Sequence, residues 1–266
     1  MILDENITII ILSCAKFSDL WDNNVFLLNK FWPNHPKFQI ISDGEALYPF
    51  NYHDNLKIYN SEPSNRLIAA IDEVTTKYVF LTFDDYFLKD NVDQKHLIKI
   101  FDFIIKNNVD YCRFFKKPKN KTKVNELGLK KLPLHNVYEV NMYPGIWKVD
   151  SLKKVLVPDE DIWKTEVRLT KRSRENELFC FAYLKENVFP FEDIVRKGKY
   201  LRRGLKFIKK NKLYVSDRKV RTYKEDFKLF VQTMASDYLP KGIANRIKKW
   251  QGKKGKVFYS DFENSD

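Results

Sequence analysis

Two adjacent acids, Asp84 and Asp85, are the side chains of this sequence best suited to chemistry. They follow Tyr78–Phe83, a strand-length run that is apolar except for Thr82 and predicts a strand buried on both faces. In open α/β sheets, ligands bind just outside the carboxyl ends of the strands. Because a pair of carboxylates is costly unless it is neutralised, a divalent cation held by oxygen ligands and substrate phosphates would suit this position. An acidic turn that merely ends the strand is the simpler alternative.

Strand-like and helical stretches alternate around the acidic pair. Before it, the pattern predicts a strand over 7–14, a helix over 18–31, strands over 38–42 and 56–59, and a helix over 64–75 capped by Ser64-Asn65. After it, the pattern predicts a helix over 94–107, a strand over 109–115, a solvated loop over 116–133, a strand over 137–142, a turn over 143–147, helices starting near 150 and 158, and short strands over 179–184 and 188–191. This order predicts an α/β fold of the Rossmann type, with a mixed, mostly parallel sheet flanked by helices.

The net charge of +13 is concentrated near the C-terminus. Residues 196–256 hold 21 Lys and Arg against 4 acids, a local charge of +17, so the remainder carries −4. Such a segment favours a phosphate-bearing partner, on a nucleic acid, an anionic bilayer or a lipid diphosphate. Within it, the basic stretch 196–212 places Leu201, Leu205 and Ile208 at helical spacing, which predicts a cationic amphipathic helix. Residues 240–256 repeat this character around Trp250.

Composition excludes several other classes of protein. An apolar content of 44% is typical of a folded chain, and no apolar run reaches the roughly 18 residues of a membrane span. Three widely spaced cysteines have no metal-ligand spacing and predict reduced thiols in the cytoplasm. There is no Gly-rich phosphate loop, and only four His are present, which makes histidine-centred chemistry unattractive.

Seven motifs follow one another over most of residues 7–212: LSCAKFSDLW, FWPNHP, ISDG, NRLIAAIDEVTTKYVFLTFDDYFL, PGIW, EDIWKTE and VRKGKYLRRGLKFIKK. In this order they resemble the bacterial GT-A-type glycosyltransferases that build capsules and O-antigens. The resemblance implies a glycosyltransferase domain over 1–215 that binds a nucleotide-sugar in a Rossmann-like half. A basic helical extension over 216–266 would then dock on the membrane or the acceptor. The acidic motif here is Phe-Asp-Asp-Tyr rather than a strict Asp-x-Asp.

The resemblance also implies roles for residues that bind the donor. Ser13, Cys14 and Lys16, at the end of the first strand and in the turn after it, would meet the nucleotide base and ribose. Asp43 would accept a hydrogen bond from uracil or ribose, although Asp before Gly is also common in plain turns. Arg66 would reach the base or diphosphate, with an ordinary helix-surface arginine as the alternative.

The acidic pair would hold the cofactor that the resemblance implies. Asp85 would bind Mn²⁺ or Mg²⁺ against the donor diphosphate, and Asp84 would orient the sugar or the waters of the metal.

An inverting sugar transfer also needs a base for the acceptor hydroxyl. Glu166 is the first candidate and Asp161 the second, although acids at the start of a helix are common for dipole reasons alone. Trp163 and Trp147 would line the acceptor site, and burial in the core is the alternative for either ring.

The resemblance, together with these residues, implies a metal-dependent hexosyltransferase at the cytoplasmic face of the membrane. Its donor would be a UDP-sugar, and its acceptor a glycan carried on a lipid diphosphate. The alternative is a nucleic-acid-binding protein that uses its basic C-terminus. No helix-turn-helix, zinc-finger or aromatic RNA-binding pattern supports that alternative.

Overall fold

The computed structural model describes residues 2–115, 123–185, 187–227 and 230–231. The chain divides into two compact units, Met1–Glu192 and Asp193–Asp266. The boundary expected after residue 215 stays a prediction, because residues 232–266 of the expected extension lie outside the described part of the chain.

The described residues form strands and helices with the following bounds. The strands are β1 (Ile7–Leu12), β2 (Phe38–Ser42), β3 (Leu56–Ile58), β4 (Tyr78–Phe83), β5 (Tyr86–Leu88), β6 (Tyr111–Arg113), β7 (Leu129–Lys131), β8 (Gly145–Lys148), β9 (Cys180–Tyr183), β10 (Phe191–Asp193), β11 (Val195–Arg196) and β12 (Lys199–Tyr200). The α-helices are α1 (Ile2–Asn6), α2 (Trp21–Phe31), α3 (Pro63–Glu73), α4 (Gln94–Lys106), α5 (Val149–Val155), α6 (Ile162–Glu175) and α7 (Arg202–Lys210), and 3₁₀ turns span Ala15–Leu20 and His53–Asn55.

Eight of the strands form one sheet in the order β3-β2-β1-β4-β8-β6-β9-β7. The pairs β3–β2, β2–β1, β1–β4 and β6–β9 are parallel, and the other three pairs are antiparallel. The predicted fold class, a mixed and mostly parallel sheet flanked by helices, is therefore confirmed. The strand that precedes the acidic pair, β4, lies inside the sheet between β1 and β8, as its apolar sequence requires.

Alternate residues of the central strands feed two separate apolar layers, as the period of two in a strand requires. Tyr78 and Phe80 of β4 pack in one layer with α2 and α4, whereas Val79 and Leu81 pack in the other with α3 and α5. The sheet is thus covered on both faces. The edge where the parallel strands end is therefore the place where a ligand could bind.

The segment before β8 departs from the sequence prediction. Residues 137–142 form turns rather than a strand, because the Glu139 carboxylate accepts hydrogen bonds from His135 N (2.9 Å) and Asn136 Nδ2 (2.8 Å), and Tyr138 has a φ of 67°. The motif PGIW, expected as a turn, provides most of β8 instead. Gly145 pairs on both sides, and a Cβ there would lie 3.0 Å from the Cys112 carbonyl oxygen.

Three smaller expectations were also wrong. The loop expected over 116–133 contains β7, and residues 188–190 do not form a strand. Helix α3 begins at Pro63 with Glu62 at the N-cap position, so Ser64 and Asn65 lie inside the helix and do not cap it. The Ser64 hydroxyl instead accepts a hydrogen bond from Glu160 N at 2.9 Å.

In the second unit, β11 and β12 form a hairpin whose turn residues, Lys197 and Gly198, both have positive φ. Helix α7 follows, and its apolar side chains Leu201 and Ile208 are buried. The predicted cationic helix is present. Of its predicted apolar stripe, Leu201 and Ile208 are buried and Leu205 is half-buried, so these side chains are largely unavailable for insertion into a bilayer. The second basic stretch, 240–256 with Trp250, lies outside the described residues. Among the described helices, none is long and apolar enough to cross a membrane.

Candidate functional site at the ends of β1, β2 and β4

Three parallel neighbours, β2, β1 and β4, end at the same edge of the sheet. From β1 the chain builds outward through β2 and β3, then returns to form β4 on the opposite side of β1. The gap between β1 and β4 is therefore the topological switch point, where open α/β sheets form their ligand crevice. Ser13 and Cys14 follow β1, Asp43 follows β2, and Asp84 and Asp85 follow β4. The fold thus brings these five candidates to one edge of the sheet.

Asp84 is buried and hydrogen-bonded at the switch point. The side chain is buried and its carboxylate accepts a hydrogen bond from the Ser13 hydroxyl. Ser13 Oγ in turn accepts a hydrogen bond from Trp21 Nε1 of α2 at 2.7 Å. The hydroxyl expected to meet a nucleotide is therefore engaged with the acid and the indole.

The turn formed by Asp84 and Asp85 is held by a residue that the sequence did not single out. Asn24 of α2 donates from Nδ2 to the Asp84 carbonyl oxygen at 3.0 Å and to the Tyr86 carbonyl oxygen at 3.3 Å. The Asp85 side chain, which lies between these two carbonyls in the chain, is half-buried. In the sequence, Asn24 differs from the neighbouring apolar positions of α2 only by being polar, and this alone does not predict a contact with the acidic turn.

Asp43 and Arg66 form the second part of the cluster. Asp43 Oδ1 accepts a hydrogen bond from Ala15 N at 2.7 Å, and its Oδ2 lies 3.7 Å from Arg66 Nη1. The Asp43 side chain is 42% exposed, whereas that of Arg66 is 5% exposed. Arg66 also donates from Nη1 to the Ser61 carbonyl oxygen at 2.5 Å, but its Nε has no hydrogen-bond partner within the described residues. The burial of Arg66 contradicts the alternative of an ordinary helix-surface arginine, and the expected contact with the base or diphosphate stays a prediction.

Cys14 lies between the two groups of acids. Burial, followed by the charges of Asp84 and Asp43, raises the pKa of its thiol above the ordinary value. The thiol is therefore neutral at pH 7, and a reactive thiolate is absent from this position.

The candidate bases lie on and before α6. Asp161 is the N-cap of this helix, and its Oδ1 accepts hydrogen bonds from Trp163 N and Lys164 N, both at 2.9 Å. Glu166 is half-buried, and its Oε1 accepts a long hydrogen bond of 3.4 Å from Met142 N. The segment before α6 reaches the start of α3 through the Asn65–Asp159 side-chain pair at 2.7 Å. Helix α6 thus begins beside the helix that carries Arg66.

The acid next to the N-cap, Glu160, has a different environment. Burial alone would raise its pKa, but hydrogen bonds from Arg172 and Arg168 lower the pKa below the ordinary value. Both arginines contact Glu160 Oε1, at 2.6 and 2.5 Å. Glu160 is therefore held as an ion that fixes the start of α6, and it is a poor proton acceptor.

The two acceptor tryptophans have opposite positions. Trp163 is 54% exposed on the first turn of α6. Trp147 is fully buried in β8, with its ring centroid 4.2 Å from that of Tyr111. The ring of Trp147 is part of the core and gives a sugar no access, so the expectation that it lines the acceptor site is not supported. Tyr86, which follows Asp85 in the chain, is half-buried instead, and its ring centroid lies 5.8 Å from that of the half-buried Tyr143.

A metal would have to be held by few protein ligands. No group of three or more His, Cys, Asp or Glu side chains in the described parts of the chain is arranged to hold an ion. Asp84 and Asp85 nevertheless offer the hard oxygen donors that Mg²⁺ and Mn²⁺ prefer. Mg²⁺ commonly binds through one or two carboxylates, with waters and substrate phosphates as the other ligands, and the acidic pair fits that arrangement.

No protein-family model matches the chain, and no curated protein matches it. Among solved structures, it is similar to residues 1–349 of TarS from S. aureus, at 14% identity over 91% of this chain and 69% of that one, with a TM-score of 0.46. The same TarS fragment in complex with UDP matches at 15% identity over 66% of this chain and 57% of that one (TM-score 0.47).

The bifunctional IspDF of Campylobacter jejuni matches at 15% identity over 69% of this chain and 51% of that one (TM-score 0.41). In the last two comparisons, the chain spans less than two thirds of the matched structure. With TM-scores below 0.5, these likenesses assign neither a family nor a function.

Proposed function

We propose that this protein is a nucleotide-sugar-dependent glycosyltransferase. The observation that carries the proposal is the position of Asp84 and Asp85 at the switch point between β1 and β4, with Asp43 at the end of the neighbouring strand. This is the point at which open α/β sheets bind nucleotides. Acidic groups together with a buried arginine suit a ligand that has both hydroxyl donors and phosphates, and a nucleotide-sugar has both.

Asp43 and Arg66 are proposed to bind the nucleoside end of the donor. Asp43 Oδ1 is oriented by Ala15 N, while the carboxylate remains partly exposed. It can accept a hydrogen bond from a ribose hydroxyl or from the imide N–H of uracil, which favours UDP as the carrier. Arg66 Nη1 lies 3.7 Å from Asp43 Oδ2, within the range of an ion pair. The buried guanidinium of Arg66 favours an anionic ligand such as the diphosphate.

Asp85, oriented by the same turn as Asp84, is proposed to bind Mn²⁺ or Mg²⁺. When bound, the cation supplies positive charge to the departing diphosphate. The protein's own contribution is orientation: the Asp84 carboxylate is fixed by Ser13, and Asn24 holds the main chain on both sides of Asp85.

Glu166 is proposed as the base of an inverting transfer. The acceptor oxygen forms a bond to the anomeric carbon, the bond from that carbon to the diphosphate oxygen breaks, and the hydroxyl proton passes to the Glu166 carboxylate. Asp161 is the less suitable group because its Oδ1 already accepts hydrogen bonds from two backbone N–H groups as the N-cap of α6. A retaining enzyme would need no such base.

The acceptor is proposed to be a lipid-linked glycan of cell-surface polysaccharide synthesis, held at an anionic membrane surface. The exposed ring of Trp163 offers an apolar face for a sugar. The positive charge of residues 196–256 provides attraction to lipid phosphates. In α7, Arg203, Lys206, Lys209 and Lys210 are all exposed.

Thermal unfolding with UDP and Mn²⁺, together and separately, tests the proposal, because a ligand that binds the folded state raises the midpoint by mass action. We expect the largest rise with both present, and CMP with Mn²⁺ is the control. A screen of UDP-, GDP- and dTDP-sugars for donor hydrolysis then identifies the donor. A midpoint that ignores every nucleotide but rises with an oligonucleotide would favour a nucleic-acid-binding protein and overturn the proposal.

A further inference from the structure

We propose that Asn24 is a positioning residue for the acidic turn, through which α2 sets the direction of Asp85 toward its cation. This inference rests on the proposed function, since it concerns the same site. Nothing in the local sequence around the acidic pair indicates this role, because Asn24 lies 60 residues before Asp84 in the chain.

The hydrogen bonds of Asn24 span the acidic turn. One amide nitrogen donates to the carbonyl oxygens of Asp84 and Tyr86, which flank Asp85 in the chain. An amide nitrogen carries two hydrogens, so both bonds can form at once. Because Asn24 is only 6% exposed, losing its side chain would leave two carbonyl groups of the turn with fewer donors in a nearly dry environment.

A second contact from the same helix holds the neighbouring acid. Trp21 lies three residues before Asn24, on the same face of α2, and donates to Ser13, which donates to the Asp84 carboxylate. The two contacts have different targets: the Trp21–Ser13 chain holds the Asp84 side chain, whereas Asn24 holds the main chain around Asp85. The direction of the Asp85 side chain therefore depends on Asn24.

Metal ligands must be held within about 0.5 Å of their productive geometry, which requires a supporting shell of hydrogen bonds. A buried asparagine that only stabilises the turn would affect binding with and without metal alike. A positioning residue for Asp85 should affect the part of nucleotide binding that depends on the cation.

Calorimetry of UDP binding with and without Mn²⁺ separates these roles. The variant is Asn24→Leu, and the matched control is Asn29→Leu, the same change at an exposed position of the same helix. In Asn24→Leu we expect the gain in UDP affinity caused by Mn²⁺ to fall about tenfold or more, the range seen for residues that support metal ligands. Metal-free UDP affinity should stay within about twofold of wild type, and Asn29→Leu should match wild type in both measurements.

Amide hydrogen exchange gives a readout that needs no ligand. Faster exchange confined to residues 84–88 in Asn24→Leu supports the inference, and unchanged exchange there overturns it. Equal loss of affinity with and without Mn²⁺, or an unchanged Mn²⁺ effect, overturns the inference alone. A wild-type protein whose UDP affinity ignores Mn²⁺ overturns the metal-dependent function and the inference with it. If Asn24→Leu does not fold, Asn24→Ser is measured by the same criteria.

Discussion

At the scale of single residues, the two adjacent acids have different environments. Asp84 is buried and its carboxylate is bound by Ser13, whereas Asp85 is half-buried on a turn held by Asn24. Asp85 is therefore the more accessible of the two side chains to a ligand. The consequences of removing each acid should therefore differ.

Changing Asp85 to Asn should abolish Mn²⁺-dependent UDP binding and sugar transfer while leaving the fold intact. The amide keeps the size of the side chain but loses the charge that would hold a divalent cation. Calorimetry with and without Mn²⁺ measures the effect, with Asp102→Asn on the exposed face of α4 as the control. An unchanged response to Mn²⁺ in Asp85→Asn would refute the assignment of Asp85 as a ligand.

Changing Glu166 to Gln should lower kcat by about 10² or more with little change in donor affinity, as expected when a general base is lost. Asp161→Asn is the informative partner, because Asn caps a helix about as well as Asp and the substitution removes only the carboxylate. We expect Asp161→Asn to retain activity and thermal stability. A large loss of kcat in Asp161→Asn alone would instead identify Asp161 as the base, and no loss in either variant would favour a retaining mechanism.

At the scale of elements, the segment that leads into α6 is fixed to the start of α3, the helix that carries Arg66. Asp161 caps the helix, and Glu160 binds Arg168 and Arg172 from the same helix. Ser64 and Asn65 connect this region to the start of α3. The position of Glu166 on α6 therefore depends on the ion cluster of Glu160, Arg168 and Arg172. None of these three residues has a proposed part in the reaction.

Glu160→Gln should lower the free energy of unfolding at pH 7 by about 2 kcal/mol, the typical contribution of hydrogen bonds to a charged group. Because the pKa of Glu160 is lower in the folded state than its ordinary value of 4.5, its carboxylate contributes stability above that value. The contribution is lost as the pH falls through the folded-state pKa, so the difference in unfolding free energy between wild type and variant should shrink as the pH falls below 4.5. Urea unfolding at several pH values measures this, with the exposed Glu175→Gln of α6 as the control. A difference in unfolding free energy that does not depend on pH would contradict an ionised Glu160 in the cluster with Arg168 and Arg172.

At the scale of the whole molecule, charge is distributed unevenly between the units. The chain carries +13 in total, and residues 196–256 alone carry +17. Leu201 and Ile208 of α7 are buried, whereas its exposed residues include Arg203, Lys206, Lys209 and Lys210, so the side of this helix that faces solvent is mainly charged. Any attraction of α7 to a membrane is therefore expected to be electrostatic and sensitive to salt.

Replacing Lys206, Lys209 and Lys210 with Ala should weaken binding to anionic vesicles by tenfold or more at low salt. Each basic residue near an anionic surface contributes up to about 1 kcal/mol. The control replaces three exposed lysines of α4: Lys95, Lys99 and Lys106. Co-sedimentation with anionic and neutral lipid, at low and high salt, measures the effect. Equal losses in the two triple variants, or binding that ignores lipid charge, would contradict a docking role for α7.

Local pattern in the sequence was sufficient for most of the fold. The apolar run Tyr78–Phe83 predicted a central strand, and alternation of strands and helices predicted the mixed sheet; both are confirmed. The proximity of Asp43 to the acidic pair could also be anticipated, because parallel strands place their carboxyl ends at one edge. These features depend on the period and order of residues along the chain, which a sequence displays directly.

Only the tertiary structure decided which side chains face inward and which residues meet. Trp147 and Trp163 are equally apolar in sequence, yet the first is in the core and the second is exposed. Asn24 contacts a turn 60 residues away, and Gly145 lies in β8, where a Cβ would come within 3.0 Å of the Cys112 carbonyl oxygen in the neighbouring strand β6. Burial and contact depend on what packs against a residue from distant parts of the chain, and local sequence does not contain that information.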